Sequence, residues 1–382
     1  MHNSVAQKCK VVRPNSTTCS WSGRPDSNRG PPGPKPGALT KLRYAPYLLP
    51  TSRPRYYVDF LASAGVLRAP AAVGAGSHFA NRWGSSFLWA RDRRHGRVRR
   101  VLFVGWSRTG VIVAYEWIVN ALDETWSTID KVVRLQRPDA YDAQTACPGW
   151  SVRDVLSHLL GFEMMLQGAP VPPYDGPWPE YVHNPIGEIN EAFVRVHRAE
   201  PGIEVLNQFR AVAGKAIHNL RALDDEAWEK VGWSPEGERP YHRFQETRVL
   251  DSWIHLQDIR DALLEPADDH GVAEEIVVNR FEAALPFILG KKMKAQDGTV
   301  VHVNLTGRLA RTIILGVRDG RAVVVSSSDE VPTLEFTTPV ALFWRRAAGR
   351  ITAQAFLNAS ATDVRGDHAL AQSFAQALSI ML

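Results

Sequence analysis

The sequence predicts an α+β protein, a four-helix bundle followed by a small mixed α/β domain, and three observations carry that prediction. Between about residues 113 and 264, apolar side chains recur every three to four positions in long stretches, the mark of helices with one buried face. From residue 299 onward the pattern shifts to short runs rich in β-branched residues, separated by turn-forming segments. Residues 1–110 show neither pattern. At 382 residues and 45% apolar content, the chain is long enough for two domains, each with its own core.

Charge divides the chain at the same place. Residues 1–110 hold 19 Lys and Arg against 3 Asp and Glu, and the remainder holds 26 against 37, so the net +5 conceals a strongly basic leader and an acidic body. Such a leader suits a nucleic-acid arm or an organellar transit peptide, since positive charge finds anionic partners. Three features stand against both. Pro and Gly are dense in SGRPDSNRGPPGPKPG, no apolar period is sustained, and no Lys/Arg run is interleaved with aromatics for base stacking. The stretch SGRPDSNRGPPGPKPGALTKLRYAP instead resembles peptides made when a reading frame runs through a transfer-RNA gene. Residues 1–110 are therefore expected to be a spurious translated extension, with translation starting near Val111 or Val113, or else a disordered arm. No nucleic-acid partner is expected.

Cys147 is the only one of three cysteines outside the leader, which holds Cys9 and Cys19. No disulfide framework is available to the body, and a reducing cytoplasm is the simplest location. The most apolar stretches, residues 56–76 and 98–119, are interrupted by Asp59, Arg68 and Arg108. Neither offers the ~20 uninterrupted apolar residues of a membrane span, so no membrane partner is expected.

Taken in order, residues 113–135 place Ile118, Leu122, Trp126, Ile129 and Val133 on one helical face. In CPGWSVRDVLSHLLGFEMML, Pro148-Gly149 cannot be helix interior, and Ser151 stands as N-cap with Asp154 three residues on, so a second helix starts there. Its stripe is Val152, Val155, Leu156, Leu159 and Leu160. Residues 168–185 form a loop whose prolines forbid regular pairing and whose Tyr174, Trp178 and Tyr181 give it something to bury, as a cover over a site has. A third helical region begins at Ile186, breaks near Pro201-Gly202, and resumes through Val205, Phe209, Val212, Ala216 and Leu220. A fourth spans residues 241–264 and is stopped by Pro266. Bundles of this kind place metal or cofactor sites between facing helices.

Strands come next at residues 299–305, 312–317, 322–326 and 333–337, with Arg318-Asp319-Gly320 as a turn, and helices at 340–348 and 368–382 complete a mixed unit. The expected division is therefore 1–110 extension, 111–266 bundle and 267–382 α/β domain.

The chemistry is concentrated in LDSWIHLQD on the fourth helix. A four-residue separation puts Asp251 and His255 one turn apart on one face, with Asp258 nearly one further turn along. A carboxylate and an imidazole suit Zn²⁺ or another divalent ion, and a catalytic site wants a third protein ligand plus an open position. Asp/His pairs at this spacing are also common on solvated faces. The rest of the helix argues otherwise: Leu250, Trp253, Ile254, Leu256, Ile259 and Leu263 leave little angular room that is not apolar. A buried Asp and His must be paired or coordinated, because desolvating them alone costs several kcal/mol. The second helix offers His158, at the margin of its apolar stripe. Spacing alone leaves His158 open between a ligand and a core histidine satisfied by one hydrogen bond.

CPGWSVRDVLSHL, with RVLDSWIHLQDIRDAL about a hundred residues later, resembles the paired signatures of the mycothiol-dependent maleylpyruvate isomerase family. The resemblance implies a DinB-like four-helix metal-binding bundle over about residues 117–264, with a tail similar to a sterol-carrier domain. It also implies a divalent metal, usually zinc, held by the second-helix histidine and a carboxylate-x₃-histidine pair, here His158, Asp251 and His255. The family carries Glu where this chain has Asp251, so the carboxylate arm is about one methylene shorter. Asp258 suits an acceptor that orients His255, the alternative being a surface pair with Arg260 or Arg248.

The same resemblance implies an activity. The metal would hold a low-molecular-weight thiol, mycothiol, as its nucleophilic thiolate. Addition to an activated double bond, rotation and elimination would isomerise a small maleylpyruvate-like diacid. The alternatives are a metal-dependent hydrolase or thiol transferase on the same bundle, or a non-enzymatic binding protein with a structural metal. Substrate carboxylates want an arginine, and the tail offers Arg308, Arg311, Arg345, Arg346 and Arg350, none matched to a family position. Cys147 precedes Pro148-Gly149 with no adjacent base and reads as a small packing residue.

Overall fold

The spacing of Ile118, Leu122, Ile129 and Val133 becomes the fully buried face of α1 (Glu116–Val133). The computed structural model describes residues 114–267, 271–327 and 331–381, all within one compact unit. The expected extension, residues 1–110, lies outside the described residues. Helix α2 (Val152–Leu166) starts at the capping box anticipated from Ser151 and Asp154: the Ser151 side chain accepts from the Asp154 N–H, and the Asp154 carboxylate accepts from the Ser151 N–H at 3.0 Å. Two orphan amides are thereby satisfied at the end of the helix that carries His158.

The third helical region is two helices, α3 (Pro185–His197) and α4 (Gly202–Arg221), and both pack on α2. Pro201 ends the run, and Gly202 is needed because a Cβ there would sit 2.2 Å from the Tyr141 ring. Gly161 on α2 likewise lets Phe193 of α3 approach closely, since a Cβ would lie 2.3 Å from that side chain. A short helix α5 (Asp225–Glu229) and a two-stranded hairpin, β1 (Val231–Gly232) with β2 (Arg239–Pro240), lead into α6 (Tyr241–Leu263). Helices α1, α2, α4 and α6 form the bundle: α1 packs on α4 and α6, and α2 packs on the same pair. Fifteen of the 23 residues of α6 are buried, on every side of the helix, which is why its polar members need partners within the protein.

A helix not anticipated from the sequence, α7 (Val272–Pro286), packs on α6 and α1. Its Ile276-Val277-Val278 run buries side chains on adjacent faces and so blurs the helical period. A π-helical turn, Phe287–Lys292, continues from it.

Strands β3 (Val300–Thr306), β4 (Arg311–Arg318), β5 (Arg321–Val325), β6 (Leu334–Pro339) and β7 (Asp363–Gly366) form one sheet in the order β5-β4-β3-β6-β7. The β3/β6 pair is parallel and the others antiparallel. One face buries Val301, Val303, Leu305, Ile313, Leu315, Leu334 and Phe336 under helices α8 (Val340–Ala347), α9 (Ala353–Asn358) and α10 (His368–Ala377). Runs rich in β-branched residues predicted β3, β4, β5 and β6; β7 and α9 were not anticipated. The fold class is α+β, as expected: a helical bundle followed by a small mixed unit.

Candidate metal centre

Two helices supply the site, and each arrives by a local rule. The cap at Ser151 fixes where α2 begins, and two turns later His158 points into the bundle with its side chain 4% exposed. On α6, the i, i+4 relation places Asp251 and His255 on one face toward α2. His158 Nε2 lies 3.1 Å from Asp251 Oδ2, and His255 Nε2 lies 3.6 Å from Asp251 Oδ1. The two imidazoles are edge to face, with ring centroids 4.9 Å apart. One donor atom from each of the three residues lies within 4.8 Å of the others.

These separations fit a shared ion. Two donors of one tetrahedral ion with ~2.0–2.1 Å bonds stand roughly 3.3 Å apart, between the two separations observed. The donor chemistry fits as well: two neutral imidazoles and one carboxylate form a set that zinc and similar divalent ions accept. The Asp251 side chain is 31% exposed, leaving a solvent-facing side, while both imidazoles are buried.

The electrostatics point the same way. Burial opposes ionisation of Asp251, but His158 and His255 outweigh it and hold the carboxyl below its ordinary value. Burial also opposes a charge on His255, yet Asp251 and the hydrogen bond to Asp258 push the imidazole up to about 10. Among the described residues Asp251 is ion-paired only with imidazoles, so no Lys or Arg binds its oxygens directly.

Asp258 is placed as an acceptor for His255 Nδ1, at 3.0 Å. The surface pair offered as the alternative does not form: Asp258 is buried, Arg248 is held by Glu163, and Arg260 donates to the Pro266 carbonyl. The Asp258 carboxylate is held by Arg350, whose Nε and Nη2 donate to the two oxygens at 2.7 Å each. Burial works against the Asp258 charge, but the His255 hydrogen bond and the Arg350 guanidinium prevail and hold the carboxyl well below the usual range. Cys147, a packing residue on sequence grounds, is indeed buried, but its Sγ also donates to Asp258 Oδ2 at 3.3 Å. The sequence distance of 111 residues hides that contact.

The other tail arginines are engaged elsewhere. Arg308 pairs with Glu274, Arg311 with Glu282, Arg345 with Asp261, and Arg346 donates to the carbonyls of Ala375, Ile351 and Gln376. The loop expected to cover a site lies beside Trp150, whose ring is 5.2 Å from that of His158. Trp150 Nε1 and the Tyr181 hydroxyl both donate to Glu191 Oε2, at 2.9 and 3.2 Å, and this fastens the loop to α3.

Fold and site together define a class: a four-helix bundle with a histidine and carboxylate cluster between facing helices, joined to a small α/β unit. Residues 122–260 match the family model of the mycothiol maleylpyruvate isomerase N-terminal domain and residues 278–379 match that of the SCP-2 sterol transfer family, in agreement with the resemblance read from the sequence. No curated protein sequence matches the chain. Among solved structures, the mycothiol-dependent maleylpyruvate isomerase is similar at 13% identity, over 65% of this chain and 92% of that one, with a TM-score of 0.43. YfiT from Bacillus subtilis, described as a probable metal-dependent hydrolase with an unusual four-helix bundle topology, is similar at 14% identity, over 44% of this chain and 94% of its own, with a TM-score of 0.27. The UbiJ-SCP2 ubiquinone synthesis protein is similar at 14% identity, over 29% and 95%, with a TM-score of 0.22.

Proposed function

We propose that the protein is a metal-dependent enzyme that uses a low-molecular-weight thiol, mycothiol, and acts on a small acidic or electrophilic substrate, with His158, Asp251 and His255 as the metal ligands. The observation that carries this reading is the convergence of two imidazole Nε2 atoms on one carboxylate that no Lys or Arg among the described residues pairs with. The domain match supports the thiol and the isomerisation of a maleylpyruvate-like diacid, and the donor set supports zinc. A cytoplasmic location and a division into 111–266 and 267–382 go with it.

His158, Asp251 and His255 would hold a divalent ion, which would supply the Lewis acidity that keeps a thiol ionised, and hence nucleophilic, at neutral pH. The chain's own residues do the rest. Asp258 accepts the Nδ1–H of His255, which turns the Nε2 lone pair toward Asp251. Trp150 and Phe162 flank the His158 ring and exclude water from its sides. The exposed edge of Asp251 leaves room for thiol and substrate to approach.

A structural metal needs a fourth protein ligand to close its sphere. Cys147 does not supply one, because its Sγ faces the Nδ1 side of His255 and Asp258, away from the Nε2 atoms. Metal analysis of the purified full-length protein beside His255→Ala tests the reading. Bound zinc in the first and none in the second is expected; equal metal content in both removes the centre. Turnover of maleylpyruvate at an undiminished rate without mycothiol moves the protein to the hydrolase alternative.

A further inference from the structure

Arg350 carries a contact from the C-terminal α/β unit to the candidate metal centre, and its backbone is set by the end of α8. Gly349 adopts φ +76, the Gly349 N–H bonds to the Arg346 carbonyl at 3.0 Å, and the Arg350 N–H bonds to the Arg345 carbonyl at 2.8 Å. That pair of bonds is a Schellman motif, which terminates the helix and fixes the direction in which the next residue leaves. The guanidinium is then committed at three points. Nη1 donates to the Ala348 carbonyl at 2.9 Å, and Nε and Nη2 grip the two oxygens of Asp258 at 2.7 Å each. The Arg350 side chain is 11% exposed and that of Asp258 is 2% exposed, so solvent screens neither charge appreciably.

Asp258 Oδ2 is a junction. It accepts from Arg350 Nη2, from His255 Nδ1 at 3.0 Å and from the Cys147 thiol at 3.3 Å. A carboxylate with a free rotamer would present either oxygen to the imidazole; one clamped in two places presents a single oxygen in a single plane. The orientation of His255, and with it the direction of its Nε2, is therefore set from the α/β unit.

We propose that Arg350 is a positioning residue for the metal centre, acting through Asp258 on His255. The inference rests on the metal reading above. The structure supplies its own control: Arg345 forms a two-nitrogen pair with Asp261, one helical turn beyond Asp258, and so joins the same two elements. Asp261 is partly exposed and is bonded to Arg345 rather than to His255. Docking alone would make the two arginines equivalent, whereas positioning would not.

The test is zinc affinity of the full-length protein, measured by chelator competition, together with the visible spectrum of the cobalt-loaded form. Arg350→Gln is expected to weaken zinc binding about 10- to 100-fold, the usual effect of losing a partner of a metal-bound histidine, and to alter the cobalt bands. Arg345→Gln is expected to keep affinity within about twofold and to leave the spectrum unchanged, even if its melting temperature falls as far. In an Asp258→Asn background, Arg350→Gln is expected to add no further loss. Arg350→Lys keeps the charge but cannot bridge both oxygens, so it gives an intermediate shift and serves if the glutamine variant fails to fold. Wild-type affinity and spectrum in Arg350→Gln and Arg350→Lys, or equal losses in the Arg345 and Arg350 variants, overturns the positioning role while leaving the metal centre standing. Wild-type protein that binds no more zinc than His255→Ala overturns both.

Discussion

Helices α2 and α6 are joined by two buried polar clusters that solve the same electrostatic problem differently. In one, Glu163 on α2 faces Arg248 on α6, with Arg248 Nε donating to Glu163 Oε1 at 3.0 Å and both side chains 5% exposed. Burial raises the Glu163 carboxyl even against the pull of Arg248, so mutual neutralisation recovers only part of the desolvation cost. In the other, about one helical turn away along α6, Asp251 meets two imidazoles. Without a metal its charge is answered by His255, whose imidazole is pushed up to about 10 and can give up its proton, rather than by a guanidinium that stays charged. The first cluster pairs two lasting charges and holds the helices together; the second pairs a carboxylate with groups that could exchange a proton for the divalent ion proposed above. Adjacent clusters on one helix pair thus separate a structural ion pair from the proposed metal site.

The comparison can be broken in several ways, beginning with the largest effect. Arg248→Ala leaves Glu163 buried without its partner, and a loss of about 3–5 kcal/mol in chemical denaturation is expected. Asp251→Asn in metal-free protein is expected to cost far less, and similar costs at the two positions would erase the distinction. Next, a chelator should lower the stability of wild-type protein and leave His255→Ala unmoved. At free metal one hundred times the dissociation constant, the difference is about 2.7 kcal/mol. An identical response from the two proteins would count against an ion at this position.

The third effect concerns pH. With its pKa raised to about 10, His255 is protonated at neutral pH in the metal-free site, and metal must displace that proton. Apparent affinity should therefore rise with pH, by at least about tenfold per unit, or ~1.4 kcal/mol, between pH 6 and 8. A flat profile in a competition titration would mean that His255 binds no ion. In stability without metal the sign is opposite: the raised pKa favours the fold most below the ordinary histidine value and loses that contribution as pH climbs through about 10.

The smallest effect sharpens the comparison. Ser151→Ala removes the cap of α2 and should cost about 1 kcal/mol. His158 lies two turns into the helix, so metal content should be unchanged; zinc loss on removing the cap would show that the α2 end, and not the α2/α6 interface, governs the site.

How much of this was legible in the sequence differs by element. The capping box at Ser151 and Asp154 and the turn spacing of Asp251, His255 and Asp258 are local, since helical geometry converts sequence separation directly into direction. Strands β3 to β6 were legible because the β-branched residues concentrated in their runs act through a local backbone preference. Helix α7 was hidden because Ile276-Val277-Val278 buries neighbouring faces, and β7 because it is only four residues long. The resemblance brought His158 together with the α6 pair; its own position at the margin of the α2 stripe left its role open.

By itself, then, the sequence determined the helices of the bundle, the cap of α2, four of the strands and which two residues of α6 share a face, because each depends on neighbours within a few residues. Tertiary structure alone decided that Asp251 meets imidazoles while Glu163 meets a guanidinium, that Cys147 donates to Asp258 across 111 positions, and that one of five tail arginines closes on that same carboxylate. Hydrogen bonds and ion pairs act over a few ångströms of space, and only the packing of α2, α6 and the end of α8 says which distant side chains come within that range.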